Sequence, residues 1–165
     1  MNPSSTRLSG RYERIAVQLS ELFEENPDAQ SRMATAVALL HHKMSHFFWT
    51  GFYRLVGEDL IVGPYQGPLA CSVLLPRGAG VCWAGITRGE SILVPDVRQF
   101  EGHIACDSRS RSEVVVPCRD RSGNVVGVLD VDSVTVNALG REDVIGLERI
   151  VALVNEIPHS PGQGR

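Results

Sequence analysis

Three cysteines in unlike settings are the residues of this chain best suited to chemistry. They are Cys71 in Gln66-Gly67-Pro68-Leu69-Ala70-Cys71, Cys82 in Gly80-Val81-Cys82-Trp83, and Cys106 in Gly102-His103-Ile104-Ala105-Cys106-Asp107. Trp49, Tyr53, Glu113, Asp130 and Asp132 are the other groups that could surround a reacting molecule. Thiols with acids at hand suit a redox site. One thiolate attacks a substrate, and a second thiol resolves the oxidised product by thiol–disulfide exchange.

Cys106 lies in a polar stretch from Arg98 to Ser112 that shows no periodicity; a loop of that length in a compact domain is usually functional or disordered, and the cysteine favours function. Arg109, Arg111 and His103 flank it and could lower its pKa toward the reactive thiolate. Asp130 and Asp132 are two apart in a strand pattern, so a regular strand turns both to one side. Glu113 can join them from the paired strand. Three carboxyls in one pocket repel each other, so at least one keeps a proton near neutral pH while another stays ionised for an ammonium.

Plain packing competes with each of these readings. Cysteine is among the most often buried residue types, and Cys118, in a hydrophobic strand, reads as core. Trp49 and Tyr53 at strand positions serve a core as readily as a ligand wall. Asp130 and Asp132 follow an apolar run and could equally mark a solvated strand end. His41, His42 and His46 sit at a helix end, where they read as exposed and favourable to its dipole. Cys71, Cys82, His103 and Cys106 are zinc-ligand types. There is no Cys-x2-Cys pair, however, and their spacing is poor, so the expectation is no metal and no cofactor. No phosphate-cradling glycine motif or Ser-His-Asp signature is present.

The elements that must position these groups follow from pattern. A chain of 165 residues is most simply one domain, and 43% apolar with 21% charged residues is an ordinary globular balance. The net charge of −3 argues against nucleic acid. The polar start and the short apolar runs argue against a signal peptide and a membrane span, and the reading is a cytoplasmic protein with reduced thiols. Tyr12, Ile15, Leu19, Leu22 and Phe23 recur at helical spacing, as do Met33, Val37, Leu40 and Met44 after a cap at Asp28 or Ser31. Strands are expected over Phe47–Leu55, Leu60–Gly63, Cys71–Pro76 and Ser91–Val94. A hairpin of Glu113–Arg119 and Asn124–Val131 should turn at Asp120-Arg121-Ser122-Gly123. A short helix should run from Val81 to Arg88, and a closing amphipathic helix from about Arg141. The expected fold is α+β, an antiparallel sheet with helices packed on one face. Residues 10–156 form the expected domain, with 1–9 and 157–165 as flexible termini.

Seven segments occur in the order of one known family. They are Trp49-Thr50-Gly51-Phe52-Tyr53, Gly63-Pro64-Tyr65-Gln66-Gly67, Gly80-Val81-Cys82, Val94-Pro95-Asp96-Val97, Gly102-His103-Ile104-Ala105-Cys106-Asp107-Ser108, Ser112-Glu113-Val114-Val115-Val116-Pro117 and Gly127-Val128-Leu129-Asp130-Val131-Asp132-Ser133. The chain thereby resembles free methionine-(R)-sulfoxide reductase, a GAF-domain enzyme, over nearly its whole length. The resemblance implies a GAF-like fold and reduction of free methionine sulfoxide. It puts the attacking thiol at Cys106 and a resolving thiol at Cys71 or Cys82. Glu113, Asp130 and Asp132 become substrate-contacting acids, and Trp49 and Tyr53 the aromatic wall around the methyl-thioether end. It further implies a Cys106 sulfenic acid, an intramolecular disulfide recycled by thioredoxin, and a homodimer paired through the helical face. Trp83 departs from the family, which carries Gly after this cysteine. The alternative of another class is a non-catalytic GAF module that senses a small metabolite. Such modules usually sit in longer chains with output domains, and a sensor needs no cysteine in the loop.

Overall fold

A computed structural model describes residues 3–70, 72–104 and 107–155. Cys71 and Cys106 lie outside the described residues, so the expectations placed on their thiols have no geometry below.

Two helices come first, α1 (Pro3–Phe23) and α2 (Ala29–Lys43). α1 begins ahead of residue 10, where the sequence placed the domain boundary. Asp28 caps α2, its carboxylate accepting from the Ser31 amide at 2.7 Å. The strands follow: β1 (Trp49–Val56), β2 (Asp59–Gln66) and β3 (Leu74–Leu75). After the short helix α3 (Gly80–Arg88) come β4 (Ile92–Val94), β5 (Ser112–Arg119), β6 (Val125–Ser133) and the closing helix α4 (Arg141–Asn155). The six strands pair antiparallel in the order β3-β2-β1-β6-β5-β4. The expected strand over Cys71–Pro76 is reduced to Leu74–Leu75, because the Ser72 hydroxyl folds back onto the Leu74 carbonyl and only two residues pair with β2.

Side-chain alternation divides the sheet into two faces. Phe52, Val114, Val116, Cys118, Leu129 and Val131 point to one face and pack under Ile15, Leu19, Val37, Leu40, Leu147 and Ile150 of α1, α2 and α4. That is the main core and the helical layer. The buried Cys118 belongs to it, as plain packing predicts. Trp49, Tyr53, Val115 and Val128 point to the other face, where α3 supplies Val81, Cys82 and Trp83. Gly85 lets α3 lie close on the sheet: a Cβ there would stand 2.8 Å from Val115 Cγ1.

The helical layer differs from expectation at two places. Leu22 is 58% exposed, although its spacing matches the apolar stripe of α1. His46 is drawn in rather than left at a free helix end. Its Nε2 lies 3.0 Å from Asp143 Oδ1, which also accepts from the Tyr12 hydroxyl at 2.8 Å. His41 Nδ1 likewise lies 3.2 Å from the hydroxyl of buried Thr50. Among the described residues no helix is long and apolar enough to cross a membrane.

Candidate active site

The functional face of the sheet is the one α3 only partly covers. β5 and β6 form a hairpin whose register sets Glu113 opposite Asp132 and Val115 opposite Asp130. β1 flanks β6 on the other side, setting Trp49 opposite Asp132 and Gly51 opposite Asp130. Alternation then turns Glu113, Asp130, Asp132, Trp49 and Tyr53 to one side. The solvated strand end allowed by pattern is not what forms: all three acids are buried.

Burial gives these acids their chemistry. Removal from water disfavours each charge, and each neighbouring carboxylate adds to the cost. Glu113 is pushed well up from the ordinary carboxylate range by burial and by the charge of Asp132. Asp130 is pushed well up by burial and then by Glu113 and Asp132. Asp132 is raised least, to about 6, because burial is opposed by a hydrogen bond from Ser110 and by the nearby His103 ring. A gradient results. The anion is disfavoured least at Asp132, while burial and mutual repulsion push Glu113 and Asp130 toward their protonated forms.

Cys82 enters this group from the first turn of α3. Its Sγ donates to Asp130 Oδ2 at 3.5 Å. Burial first, then the charges of Asp130 and Glu113, raise this thiol well above the ordinary cysteine value. Trp83, the departure from the family pattern, is buried and donates from Nε1 to the Leu75 carbonyl at 3.4 Å, tying α3 to β3.

Two clefts meet at Asp130 and Asp132. One, about 360 Å³ with its mouth, is lined by Leu75, Gly80, Cys82, His103, Ile104 and Glu113. The other, about 300 Å³, is walled by Trp49, Tyr53, Pro68, Leu69, Ala70 and Ser110. The Trp49 ring stacks on Tyr53 at 5.8 Å and on Tyr65 at 5.5 Å between centroids. Gly51 makes that stack possible, since a Cβ there would fall inside the Trp49 ring and against Tyr65. The β1–β2 register shifts between Gly51 and Tyr53, which places the extra residue at Gly63-Pro64 and returns Tyr65 to lie opposite Gly51.

Among the expected site residues, Trp49, Tyr53, Cys82, Glu113, Asp130 and Asp132 come together, and Cys71 and Cys106 lie outside the described residues. Residues 107–111, which follow Cys106, are anchored. Arg109 pairs with Asp107 at 2.8 Å and its guanidinium sits 4.7 Å from the Phe48 ring centroid. Arg111 donates to the carbonyls of Ser108 and Ser110 at 2.6 and 2.8 Å. His103 reaches the acids. Its Nε2 is 3.5 Å from Glu113 Oε2; burial lowers its pKa and the charge of Asp132 opposes that. Three residues of the site carried no sequence signal for it: Ser110, Tyr65, and His103 in its role beside the acids.

No protein-family model matches the chain. It is 39% identical over 125 residues to free methionine-R-sulfoxide reductase of Escherichia coli K12, covering 76% of this chain and 74% of that relative. It is 38% identical over 146 residues to GAF domain-containing protein A of Dictyostelium discoideum, covering 88% and 90%. Among solved structures it is similar to free methionine-R-sulfoxide reductase of Neisseria meningitidis in complex with its substrate. That likeness has a TM-score of 0.83 at 31% identity and covers 94% of this chain and 90% of the other.

Proposed function

The chain belongs to the free methionine-R-sulfoxide reductase family, a GAF-fold family, and from that premise we propose that it reduces free L-methionine-(R)-sulfoxide to methionine. The observation that carries the proposal is the buried trio of Glu113, Asp130 and Asp132 between an aromatic cleft and a thiol. A free amino acid brings an ammonium, which needs a buried negative charge. A sulfoxide brings an oxygen that must be protonated as its bond to sulfur breaks. One site that offers an ionised acid beside a protonated pair meets both needs.

In this reading Asp132 pairs with the ammonium, and the proton shared by Glu113 and Asp130 moves to the sulfoxide oxygen. Trp49, stacked between Tyr53 and Tyr65, walls the methyl-thioether end. The Cys106 thiolate attacks the sulfur. The oxygen passes to Cys106 as a sulfenic acid, and methionine leaves with its sulfur reduced by two electrons. Cys71 or Cys82 then condenses with the sulfenic acid, forming a disulfide and water. A thioredoxin-type dithiol reduces that disulfide in the cytosol, where such reductants are found. The working form is a homodimer paired through α1 and α4.

The test is methionine release from the (R) and (S) epimers supplied separately, with thioredoxin and its reductant. Turnover of the (R) epimer alone is expected, and Cys106→Ser should abolish it. Turnover of neither epimer by folded, reduced protein would instead favour a GAF module that binds a metabolite without reaction.

A further inference from the structure

We infer that Cys82, Glu113 and Asp130 form a binding site for a thiophilic divalent cation of the zinc type, with His103 at its rim. The cation takes the Glu113–Asp130 pair that serves the sulfoxide oxygen, so cation and bound sulfoxide exclude each other there, a clause that rests on the function proposed above.

The geometry is the starting point. Among the described residues, one ligand atom from each of Cys82, Glu113 and Asp130 lies within 4.8 Å of the other two, and all three residues are buried. Cys82 Sγ stands 3.5 Å from Asp130 Oδ2. A tetrahedral zinc with Zn–S about 2.3 Å and Zn–O about 2.0 Å separates its sulfur and oxygen ligands by about 3.5 Å. That edge of the tetrahedron is already made, and a Glu113 carboxylate oxygen lies within 4.8 Å of Cys82 Sγ and of an Asp130 oxygen. His103 Nε2, 3.5 Å from Glu113 Oε2, is the nearest candidate for the fourth position. This set differs from the one the sequence suggested, in which Cys82 and His103 were joined by Cys71 and Cys106.

A second observation points to a ligand. Asp130 is 5% exposed, and its Oδ1 accepts no hydrogen bond among the described residues. Its carboxyl lies against that of Glu113, and a cation can take the place of the proton the two acceptors share. An entry path exists, because the cleft lined by Gly80, Ile104 and His103 ends on Cys82, Glu113 and Asp130. The donor chemistry selects the metal. A thiolate favours zinc and its neighbours over magnesium or calcium, and two carboxylates complete a site for a dication. No electrons move. The Cys82 proton and the proton shared by the acids pass to solvent as the Zn–S and Zn–O bonds form.

The experiment uses the full chain, reduced and stripped of metal. Zn²⁺ is titrated against a chromophoric chelator, and Co²⁺ is added separately to read the thiolate-to-cobalt charge-transfer band. One equivalent of each is expected to bind. Cys82→Ser should abolish the band and weaken zinc by more than the ~10–100-fold that loss of an outer support costs. Glu113→Gln and Asp130→Asn should weaken zinc while keeping the band, which guards against misfolding of the serine variant. The Cys71→Ser/Cys106→Ser double variant should bind as the parent does, and free methionine sulfoxide, which this variant does not reduce, should raise its apparent Kd for zinc. A band that survives Cys82→Ser, or zinc affinity indifferent to all three ligand variants, would overturn the inference. Because binding is read without turnover, a protein that reduces sulfoxide but binds no zinc refutes only the metal site. One that binds zinc but reduces neither epimer refutes only the proposed function.

Discussion

At the scale of residues, the cost of burying Asp132 is measurable as stability. Its pKa in the folded chain is about 6, against roughly 4 for an unfolded aspartate. As pH rises from 4 to 6 the unfolded chain sheds this proton first, so the folded state loses stability, and above pH 6 the loss is complete. A rise of about two pKa units corresponds to roughly 3 kcal/mol. Asp132→Asn keeps the shape and can keep the Ser110 hydrogen bond without the charge. It should therefore raise Tm by about 6–12 °C at pH 8 and by little at pH 4. Thermal melts of both proteins side by side check this, since the arginine-paired carboxylates Asp96 and Asp107 contribute alike and cancel. The same variant should lose most of its kcat/KM for free sulfoxide and the acid limb near pH 6. A Tm gain equal at pH 4 and pH 8 would remove the electrostatic explanation. The individual acids were legible in the sequence because alternation puts Asp130 and Asp132 on one face. Their burial was not, because it depends on α3 and on the loop from His103 to Ser110.

At the scale of elements, the hairpin β5–β6 and the bulge in β2 do the positioning. A local turn at Asp120–Gly123 joins the hairpin, which is why Glu113 on the strand paired with that of Asp130 and Asp132 was legible in sequence. The irregularity at Cys118 and Arg119 that sets Glu113 opposite Asp132 was not. The pairing of β1 with β6 joins segments distant in the chain, and no local signal specifies it. Tyr65 was missed for the same reason. It reaches Trp49 only because Gly63-Pro64 shifts the register and Gly51 has no side chain. Gly51→Ala tests this arrangement. The added methyl must displace the Trp49 ring, at a cost of about 1–3 kcal/mol of overpacking. KM for the sulfoxide should rise roughly tenfold while kcat stays near the parent value, because the carboxyls are untouched. Steady-state kinetics with tryptophan fluorescence provides the check. A collapse of kcat with KM unchanged would mean that Gly51 serves the acids rather than the aromatic wall.

At the scale of the whole molecule, the two faces of the sheet have opposite tasks: one carries the core, the other the site. Amphipathic spacing made the helical layer legible, and it also misassigned Leu22, since periodicity cannot tell a face turned to the core from one turned to another copy. Val17, Leu22 and Ile145 are 49%, 58% and 57% exposed, large apolar side chains on α1 and α4. Glu13 and Arg149 join the two helices by an ion pair. Val17 lies one turn from Glu13 and Ile145 one turn from Arg149, so both flank that bridge on the outer surface. The 21 residues of α1 span about 30 Å. With α4 alongside, that is enough surface for a standard interface of roughly 800 Å² per partner. A second copy seated on this face is the expected occupant, and it leaves both clefts open on the far side of the sheet. Sedimentation equilibrium of the reduced protein should therefore give twice the chain mass. Val17→Glu and Ile145→Glu together should shift it to the monomer, because each copy then sets two carboxylates into an apolar contact. Sulfoxide reduction should persist in that monomer if each chain holds a complete site. A parent protein that sediments as a monomer at every concentration, or a dimer indifferent to both glutamates, would place the interface elsewhere or remove it.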